Sequence, residues 1–297
     1  MRLSQIYSQK RPVISFEVFP PRDDAAREAL ERVLPKLVEL GPDFMTVTHG
    51  ALGSERGRTL ETVLHIIREF GIDAACHLTC VGVSRAELAD AIAQMAAEGI
   101  HNIVALRGDP PKGDAAAGFV PAADGLGHAN ELVEHIHRVV RERGLEPFGI
   151  AVAGYPEKHP EAATLAEDIL NLKRKVDAGA DSVVTQLFYD NADYFKFVKA
   201  AREAGVAVPI VPGLMPITST RQIRTITERC GARIPEGLGR RMDEAGDDAD
   251  RAMEVGIAHT IAQATELLAG GAPGIHFYVM NRAAHMERIM GGLSLRS

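Results

Sequence analysis

The sequence is poor in cysteine, has no excess of basic residues and contains no long hydrophobic segment. Its three cysteines, Cys76, Cys80 and Cys230, are too few for a disulfide framework and favour a reducing compartment, the cytoplasm. The formal net charge of −7 argues against a nucleic acid or an anionic membrane as a partner. No apolar run approaches the roughly 18 residues that span a bilayer. The polar stretch Met1–Lys10 does not fit a signal peptide, so a cytoplasmic protein is predicted.

A dinucleotide-binding glycine fingerprint is also missing. The first predicted strand is followed by Phe-Pro-Pro-Arg at residues 19–22 instead of G-x-G-x-x-G. A metal site formed by Cys76, His77 and Cys80 is disfavoured, because His77 on a strand points away from both cysteines. We therefore expect neither an open dinucleotide-binding sheet nor a bound metal.

What the sequence does contain is a regular alternation of short apolar segments of β type and longer helical segments. The predicted strands cover residues 13–18, 43–48, 74–80, 102–106, 148–153, 182–188, 209–211 and 275–278. A repeat of about 37 residues per strand–helix unit favours a closed (β/α)8 TIM barrel over an open doubly wound sheet. The fold class is thus α/β, and residues 1–297 are expected to form one catalytic domain.

Local signals mark the starts of two predicted helices and one long loop. Asp23 or Asp24 caps the first helix, and Ser84 with Glu87 three residues later forms a capping box. Residues 112–127 are rich in Gly, Ala, Asp and Pro and are expected to form a mobile loop rather than a domain linker.

Polar side chains gather at the carboxyl ends of the predicted strands, where barrel enzymes carry their active sites. These residues are Glu17, Thr46, Thr48, His77, Thr79, Arg107, Asp109, Tyr155, His159, Thr185, Gln186, His276, Tyr278 and Arg282. The strand at residues 102–106 ends abruptly in Arg107, Gly108 and Asp109, and Gly108 is expected to adopt a positive φ or to allow a close approach. The gathering of polar groups predicts an enzyme rather than a structural barrel.

Eight motifs occur in order along the chain. They are SFEVFPP at residues 15–21, TVTHG at 46–50, HLTC at 77–80, ALRGDPP at 105–111, YPEKHP at 155–160, NLKRKVDAGA at 171–180, TQLFYD at 185–190 and FYVMNR at 277–282. Together they resemble the 5,10-methylenetetrahydrofolate reductase family over nearly the whole length. The resemblance implies a barrel that binds FAD non-covalently. It also implies a hydride transfer from NADH or NADPH through the flavin to the folate, and a homo-oligomer in one-carbon metabolism and methionine synthesis.

The resemblance assigns the two catalytic roles. Glu17 corresponds to the general acid that protonates the nitrogen released when the folate ring opens. Its position between Phe16 and Phe19, beneath a flavin, predicts a raised pKa, because a charge there is poorly solvated. Asp109 corresponds to the residue that contacts flavin and pterin and stabilises the cationic intermediate.

The resemblance also implies the binding residues. The FAD contacts are Thr48, His77, Arg107, Gly108, Asp109, Tyr155, His159, Asp168, Asn171, Arg174 and Lys175, and the substrate contacts are Gln186, Tyr278 and Arg282. Four of them, Asp168 to Lys175, recur at spacings of three and four and share one helix face, where the basic pair suits a pyrophosphate. Gln186 is assigned to folate and nicotinamide in turn, and Arg282 to the glutamate carboxylate of the folate.

The sequence departs from the family pattern at several places. His49 stands where the family usually has tyrosine, and Ser219 and Thr220 stand where better-known members place an aromatic that stacks on the substrate. Without that aromatic, the nicotinamide specificity and the identity of the electron donor stay open. No regulatory domain is expected after Ser297, and hence no inhibition by adenosylmethionine.

Three alternatives stay open at the level of sequence. One is a flavin barrel of the proline dehydrogenase type, and another is the same folate chemistry with a donor other than a nicotinamide. The third is a non-catalytic protein that stores folate or flavin. Glu17 argues against the third, because a pure binder does not need a proton donor at a strand end.

Overall fold

The computed structural model describes residues 1–9, 11–48, 56–108 and 119–293, and a sheet of nine parallel strands lies at its centre. The strands are β1 Val13–Val18, β2 Phe44–Val47, β3 Asp73–Thr79, β4 Asn102–Leu106, β5 Gly149–Gly154, β6 Ser182–Thr185, β7 Ile210–Val211, β8 Gly213–Leu214 and β9 Gly274–Tyr278. Their order in the sheet is β7-β6-β5-β4-β3-β2-β1-β9-β8. Because β7 and β8 are adjacent in the chain and stand at the two edges, the sheet curls into a nearly closed barrel. The predicted TIM barrel is confirmed.

Pro212 divides the seventh strand of the barrel into two short pieces. β7 pairs with β6 and β8 pairs with β9, while the carbonyl of Pro212 accepts the N–H of His276 at 3.0 Å. Proline has no N–H to offer a neighbouring strand, so the ladder is interrupted there. The hydroxyl of Tyr278 donates to the carbonyl of Thr185 at 2.6 Å, and the N–H of Gly213 donates to Thr185 Oγ1 at 2.9 Å. These side-chain bonds join β6, β8 and β9 where strand pairing is short.

Helices alternate with the strands and cover the outside of the barrel. Within the described residues they are α1 Leu3–Tyr7, α2 Asp24–Glu39, α3 Arg56–Phe70, α4 Arg85–Ala97, α5 Ala129–Arg143, α6 Leu165–Asp177, α7 Asn191–Glu203, α8 Thr220–Cys230, α9 Glu236–Ala245, α10 Ala249–Ala269 and α11 Ala284–Gly292. Asp23 caps α2 through the N–H of Ala26, and Ser84 with Glu87 forms the predicted capping box of α4. None of the helices in the described part of the chain has both the length and the apolarity needed to cross a bilayer.

Side chains alternate between the two faces of the barrel wall. On β1, Ile14 and Phe16 pack outward in the large core shared with the helices, whereas Ser15 and Glu17 face the interior. This alternation follows from the period of two in a strand, and it was predicted from the sequence. It places Glu17 at the inner, carboxyl end of β1.

The same alternation separates the cysteines of β3 from its histidine. Cys76 and Cys80 belong to the outer core, while His77 lines the interior cavity. The three side chains therefore do not converge, as the strand pattern predicts.

Helix α1 closes the amino-terminal end of the barrel and was not predicted from the sequence. The side chains of Leu3 and Ile6 are buried in a cluster with inward residues near the strand starts, which are Val13, Phe44, Ala75, Val104 and Ala151. Asn102 holds the helix in place, because its Oδ1 accepts the N–H of Leu3 at 2.8 Å and its Nδ2 donates to the carbonyl of Met1 at 2.9 Å. The segment is mostly polar, so two apolar residues gave too weak a signal for a helix.

Candidate functional site

A cavity of about 880 Å³ opens at the carboxyl ends of the strands. Its volume lies near the upper end of the range of roughly 300–1,000 Å³ that is typical of ligand and cofactor sites. The predicted site residues that line it are Glu17, His77, Arg107, Gly108, Tyr155, His159, Asp168, Asn171, Arg174, Lys175, Gln186 and Tyr278. The structure thus brings together residues from β1, β3, β9 and α6 and from the segments that follow β4, β5 and β6.

Three predicted site residues are not part of this cavity as described. Thr48 does not line it, and its carbonyl accepts the hydroxyl of Thr59 at 2.9 Å. Arg282 is exposed and likewise does not line it. Asp109 lies outside the described residues, as does His49. The roles that the resemblance assigns to these residues stay predictions.

Glu17 lies deep in the cavity, where three strands bring polar side chains to one of its oxygens. Thr46 Oγ1 on β2 donates to Glu17 Oε2 at 3.2 Å, and His77 Nε2 on β3 lies 3.2 Å from the same atom. His276 Nε2 on β9 lies 3.4 Å from it, although the two residues are 259 positions apart in the chain. The parallel register explains the cluster, because Glu17 pairs with Thr46 on one side and with Tyr278 on the other.

The protein groups around Glu17 lower its pKa. Burial alone raises the pKa of Glu17, but attraction to His77 and the hydrogen bond with His276 outweigh burial and bring it well below its ordinary range. The raised pKa was expected from Phe16 and Phe19, yet Phe16 packs in the outer core and Phe19 is 41% exposed. The raised pKa that is expected when a flavin covers Glu17 stays a prediction. The protein itself places the carboxylate of Glu17 opposite two imidazoles.

Two buried polar atoms of β3 line the cavity without a hydrogen-bond partner among the described residues. They are His77 Nε2 and Thr79 Oγ1. His77 is within ion-pair distance of Glu17, but the contact is not aligned as a hydrogen bond. Because an unpaired buried polar atom is costly, these two atoms indicate a place for a polar ligand.

Tyr278 lines the cavity mainly with its ring. Its hydroxyl is already bonded to the carbonyl of Thr185, and burial raises its pKa well above the ordinary value. The ring stands edge-on to that of His276, with 5.1 Å between the centroids. A ligand that contacts Tyr278 therefore meets an aromatic ring whose orientation is fixed by the bond from its hydroxyl to Thr185.

Helix α6 presents the predicted polar face to the cavity, with Asp168, Asn171, Arg174 and Lys175 all lining it. Lys175 Nζ donates to the carbonyl of Ala153 at 2.5 Å, and burial lowers the pKa of Lys175 to about 8 although Asp168 opposes this shift. Asp168 is buried and accepts the N–H of His159 at 2.9 Å. The helix thus combines two cations with a carboxylate that holds the neighbouring loop.

The loop after β5 adds two aromatic rings and a carboxylate to the same wall. The rings of Tyr155 and His159 meet edge-on with 4.6 Å between their centroids. The carboxylate of Glu161 accepts a hydrogen bond from each terminal guanidinium nitrogen of Arg107, both at 2.6 Å. The guanidinium group also lies over the ring of Phe119, 4.9 Å from its centroid. Arg107 is therefore oriented by contacts on two sides.

Gly108 adopts the positive φ that the sequence predicts, at +87°. A Cβ at this position would lie 2.7 Å from Cγ1 of Val81 and 3.1 Å from Cβ of Thr79. Both the backbone conformation and the space therefore require glycine next to Arg107.

Thr46 and His276 were predicted among the polar groups at the strand ends, but without a role beside Glu17. No site role was predicted for Ser15 near Glu17, for Glu161 beside Arg107, or for Met215, Ile226, Arg229 and Cys230 in the cavity lining. The inward parity of β1, β2 and β9 was a usable signal for the first three. Glu161 and Arg229 carry no local signal, because their placement depends on how a loop and α8 pack. Ser219 and Thr220, where the family places an aromatic, do not line the cavity.

The comparisons with known proteins identify a family. The family model described as methylenetetrahydrofolate reductase matches residues 2–294. The 5,10-methylenetetrahydrofolate reductase of Salmonella typhimurium is 36% identical over 283 residues, which cover 95% of this chain and 91% of that protein. The probable methylenetetrahydrofolate reductase (NADH) of Oryza sativa subsp. japonica is 35% identical over 303 residues, 99% of this chain. The chain spans 50% of the length of this rice relative.

One solved structure shares the fold at low sequence identity. It is an uncharacterized protein from Clostridium thermocellum that binds two copies of 5-methyl-5,6,7,8-tetrahydrofolic acid. The TM-score is 0.65 at 15% identity, with 97% of this chain and 95% of that chain covered. At this identity the likeness establishes the fold alone.

Proposed function

This chain belongs to the methylenetetrahydrofolate reductase family, and we propose that it reduces 5,10-methylenetetrahydrofolate to 5-methyltetrahydrofolate with bound FAD and a reduced nicotinamide. The observation that carries the proposal is the placement of Glu17 and the basic face of α6 in one cavity. The proposal includes a role in one-carbon metabolism and methionine synthesis, in the cytoplasm and as a homo-oligomer. Family membership removes the support for the proline dehydrogenase alternative.

The residues of the cavity fit a flavin dinucleotide. Although the chain carries a net charge of −7, this wall offers Arg107, Arg174 and Lys175 to an anionic pyrophosphate. The unpaired atoms of His77 and Thr79 supply polar contacts for a heteroaromatic ring system, and Tyr155 and His159 supply aromatic surface for the adenosine part. Held by these residues, a flavin would supply the means of moving a hydride from the nicotinamide to the folate.

Glu17 supplies the proton that folate reduction requires. Because His77 and His276 lower its pKa in the free protein, the carboxylate takes up this proton when flavin and folate cover it and exclude water. The five-membered ring of the substrate opens when its leaving nitrogen is protonated, and a carboxyl group at the inner end of β1 reaches the reacting part of a ligand in the cavity. Its Oε2 is hydrogen-bonded to Thr46 and His276 and lies 3.2 Å from Nε2 of His77, so the carboxyl group has a fixed orientation. Gln186 is also held, because its Oε1 accepts the N–H of Leu187 at 2.9 Å.

NADH is the first electron donor to test, because the rice relative is named as an NADH enzyme. The experiment follows the visible absorption of the FAD-loaded protein under anaerobic conditions while NADH and then methylenetetrahydrofolate are added. We expect the flavin band to bleach with NADH and to return with the folate. A band that only a chemical reductant bleaches, but that the folate restores, points to another donor. A protein that binds no FAD, or whose reduced flavin ignores the folate, contradicts the proposal.

A further inference from the structure

His276 is held at both of its ring nitrogens inside the barrel. Its Nδ1 lies 2.8 Å from the hydroxyl of Ser15, and its Nε2 lies 3.4 Å from Glu17 Oε2. Ser15 and Glu17 are two residues apart on the inward face of β1, and the register pairs Ser15 directly with His276 on β9. Both Ser15 and His276 are almost completely buried, at 0% and 1% exposure.

The partner of Nδ1 suits an imidazole that changes its protonation state. A hydroxyl can donate a hydrogen bond to a neutral Nδ1 and can accept one from a protonated Nδ1. Ser15 therefore remains bonded to His276 in both states, and Nε2 stays directed at the carboxylate of Glu17. A purely structural contact does not need a partner that serves both states.

We propose that His276, held by Ser15, is a positioning residue that keeps Glu17 supplied with the proton it delivers to the substrate. This inference rests on the folate reduction proposed above. The C–N bond of the folate ring breaks with its electron pair remaining on nitrogen, and that nitrogen takes a proton from Glu17. The carbon then receives a hydride, with its electron pair, from the reduced cofactor. Glu17 regains a proton from Nε2 of His276, and the imidazole regains one from water.

The other titratable groups near this pair do not fill the same role. His77 on β3 lies 3.2 Å from the same oxygen of Glu17, but no hydroxyl among the described residues holds its ring from the other side, as Ser15 holds that of His276. Tyr278 on β9 stands beside the imidazole, with its hydroxyl bonded to the backbone of β6. Tyr7 on α1 approaches Ser15 from the amino-terminal end of the barrel. Burial raises the pKa of Tyr7 and of Tyr278. Within the described residues, His276 is therefore the imidazole beside Glu17 that has a hydrogen-bond partner at each ring nitrogen.

The test compares two half-reactions of FAD-loaded His276→Gln and wild type by anaerobic rapid mixing. A glutamine keeps an N–H donor near the position of Nε2 but cannot pass on a proton. We expect flavin reduction by NADH to stay within twofold, and reoxidation by methylenetetrahydrofolate to slow at least tenfold. We also expect the alkaline limb of the pH profile of reoxidation to shift in the His276→Gln variant. A glutamine variant with the wild-type reoxidation rate and pH profile overturns the role of His276.

Ser15→Ala provides a second, milder variant, and Ser182→Ala is its matched control. Ser182 is a fully buried serine on β6 whose hydroxyl has no partner among the described residues. We expect Ser15→Ala to slow reoxidation three- to tenfold and to shift the alkaline limb of its pH profile. Ser182→Ala should change neither the rate nor the pH profile of reoxidation. Equal behaviour of the two alanine variants overturns the proposal even where His276→Gln fails to fold. A wild-type protein whose reduced flavin is not reoxidised by the folate disproves the folate reaction itself instead.

Discussion

The guanidinium of Arg107 binds both carboxylate oxygens of Glu161, at 2.6 Å each, across the wall of the cavity. The two partners differ in exposure, because the side chain of Arg107 is 20% exposed and that of Glu161 is 56% exposed. The cation is thus enclosed by the site, whereas the anion faces solvent, where its contribution to the pair is screened. Burial of the cation implies that Arg107 matters for a ligand and that Glu161 only orients it.

Arg107→Ala is therefore expected to raise the dissociation constant for FAD more than Glu161→Gln does. We expect at least a tenfold rise for the arginine variant, since a charge-assisted contact is worth about 1.5–3 kcal/mol. Glu161→Gln should change the constant by less than about fivefold, because a half-exposed pair contributes about 1 kcal/mol or less. Fluorescence titration of the apoprotein with FAD measures both. Equal losses would show that the pair acts as a unit.

Glu17→Gln is expected to separate the two half-reactions. The amide keeps the shape of the side chain but carries no transferable proton, so folate-dependent reoxidation should fall by about 10²- to 10⁴-fold. FAD retention and flavin reduction by NADH should stay within about threefold of wild type, because neither needs the proton. Stopped-flow absorbance at the flavin band follows both steps. Normal folate turnover in this variant removes Glu17 from its proposed role.

FAD affinity is expected to fall as the pH rises above 8, because of Lys175. Burial lowers the pKa of Lys175 from 10.5 to about 8 in the free protein, and a pyrophosphate binds only the charged amine tightly. Above pH 8, binding must therefore protonate the lysine first, and affinity decreases. Lys175→Met should weaken FAD binding about tenfold at pH 7 and remove this pH dependence, since an ion pair of this kind is worth about 1.5–3 kcal/mol.

The same residue affects the stability of the apoprotein. In the unfolded chain the lysine stays protonated up to its ordinary pKa of 10.5, so between pH 8 and 10.5 the unfolded state binds more protons than the folded state. The contribution of Lys175 to the free energy of unfolding therefore rises with pH across this window. Lys175→Met should raise the apoprotein Tm at pH 7. Lys173→Met, which removes the surface pair with Asp177, is the matched control and should leave FAD binding unchanged.

Gly108→Ala is expected to destabilise the protein by about 1–3 kcal/mol, because the new Cβ meets Val81 and the backbone keeps a positive φ. Gly82→Ala is the control for the φ alone. Gly82 has a φ of +65°, and no atom lies within 4 Å of a Cβ added there. Its cost should be about 1 kcal/mol, the ordinary price of a left-handed alanine. Chemical denaturation measures both, and equal losses would show that contact with Val81 is unimportant.

Local patterns in the sequence were enough for the fold, and most of the site residues that the family resemblance assigned line the cavity. The alternation of strands and helices identified the barrel, because each strand followed by a helix must pack in parallel with its neighbours. The period of two placed Glu17 inside the barrel, and a single glycine after a strand marked the positive φ of Gly108. Ser84 and Glu87 marked a helix start, because their capping bonds span only three residues.

Tertiary structure alone decided what surrounds the chemical groups. The pKa of Glu17 depends on His77 and His276, which come from strands 60 and more positions away and have no periodic relation to it. Arg107 and Glu161, at a separation of 54 residues, meet only because the loop after β5 packs beside the end of β4. Helix α1 is stable only when it packs against the amino-terminal end of the barrel, since five residues are too few for an isolated helix. Contacts of this kind are set by the closure of the barrel, which no stretch of sequence contains.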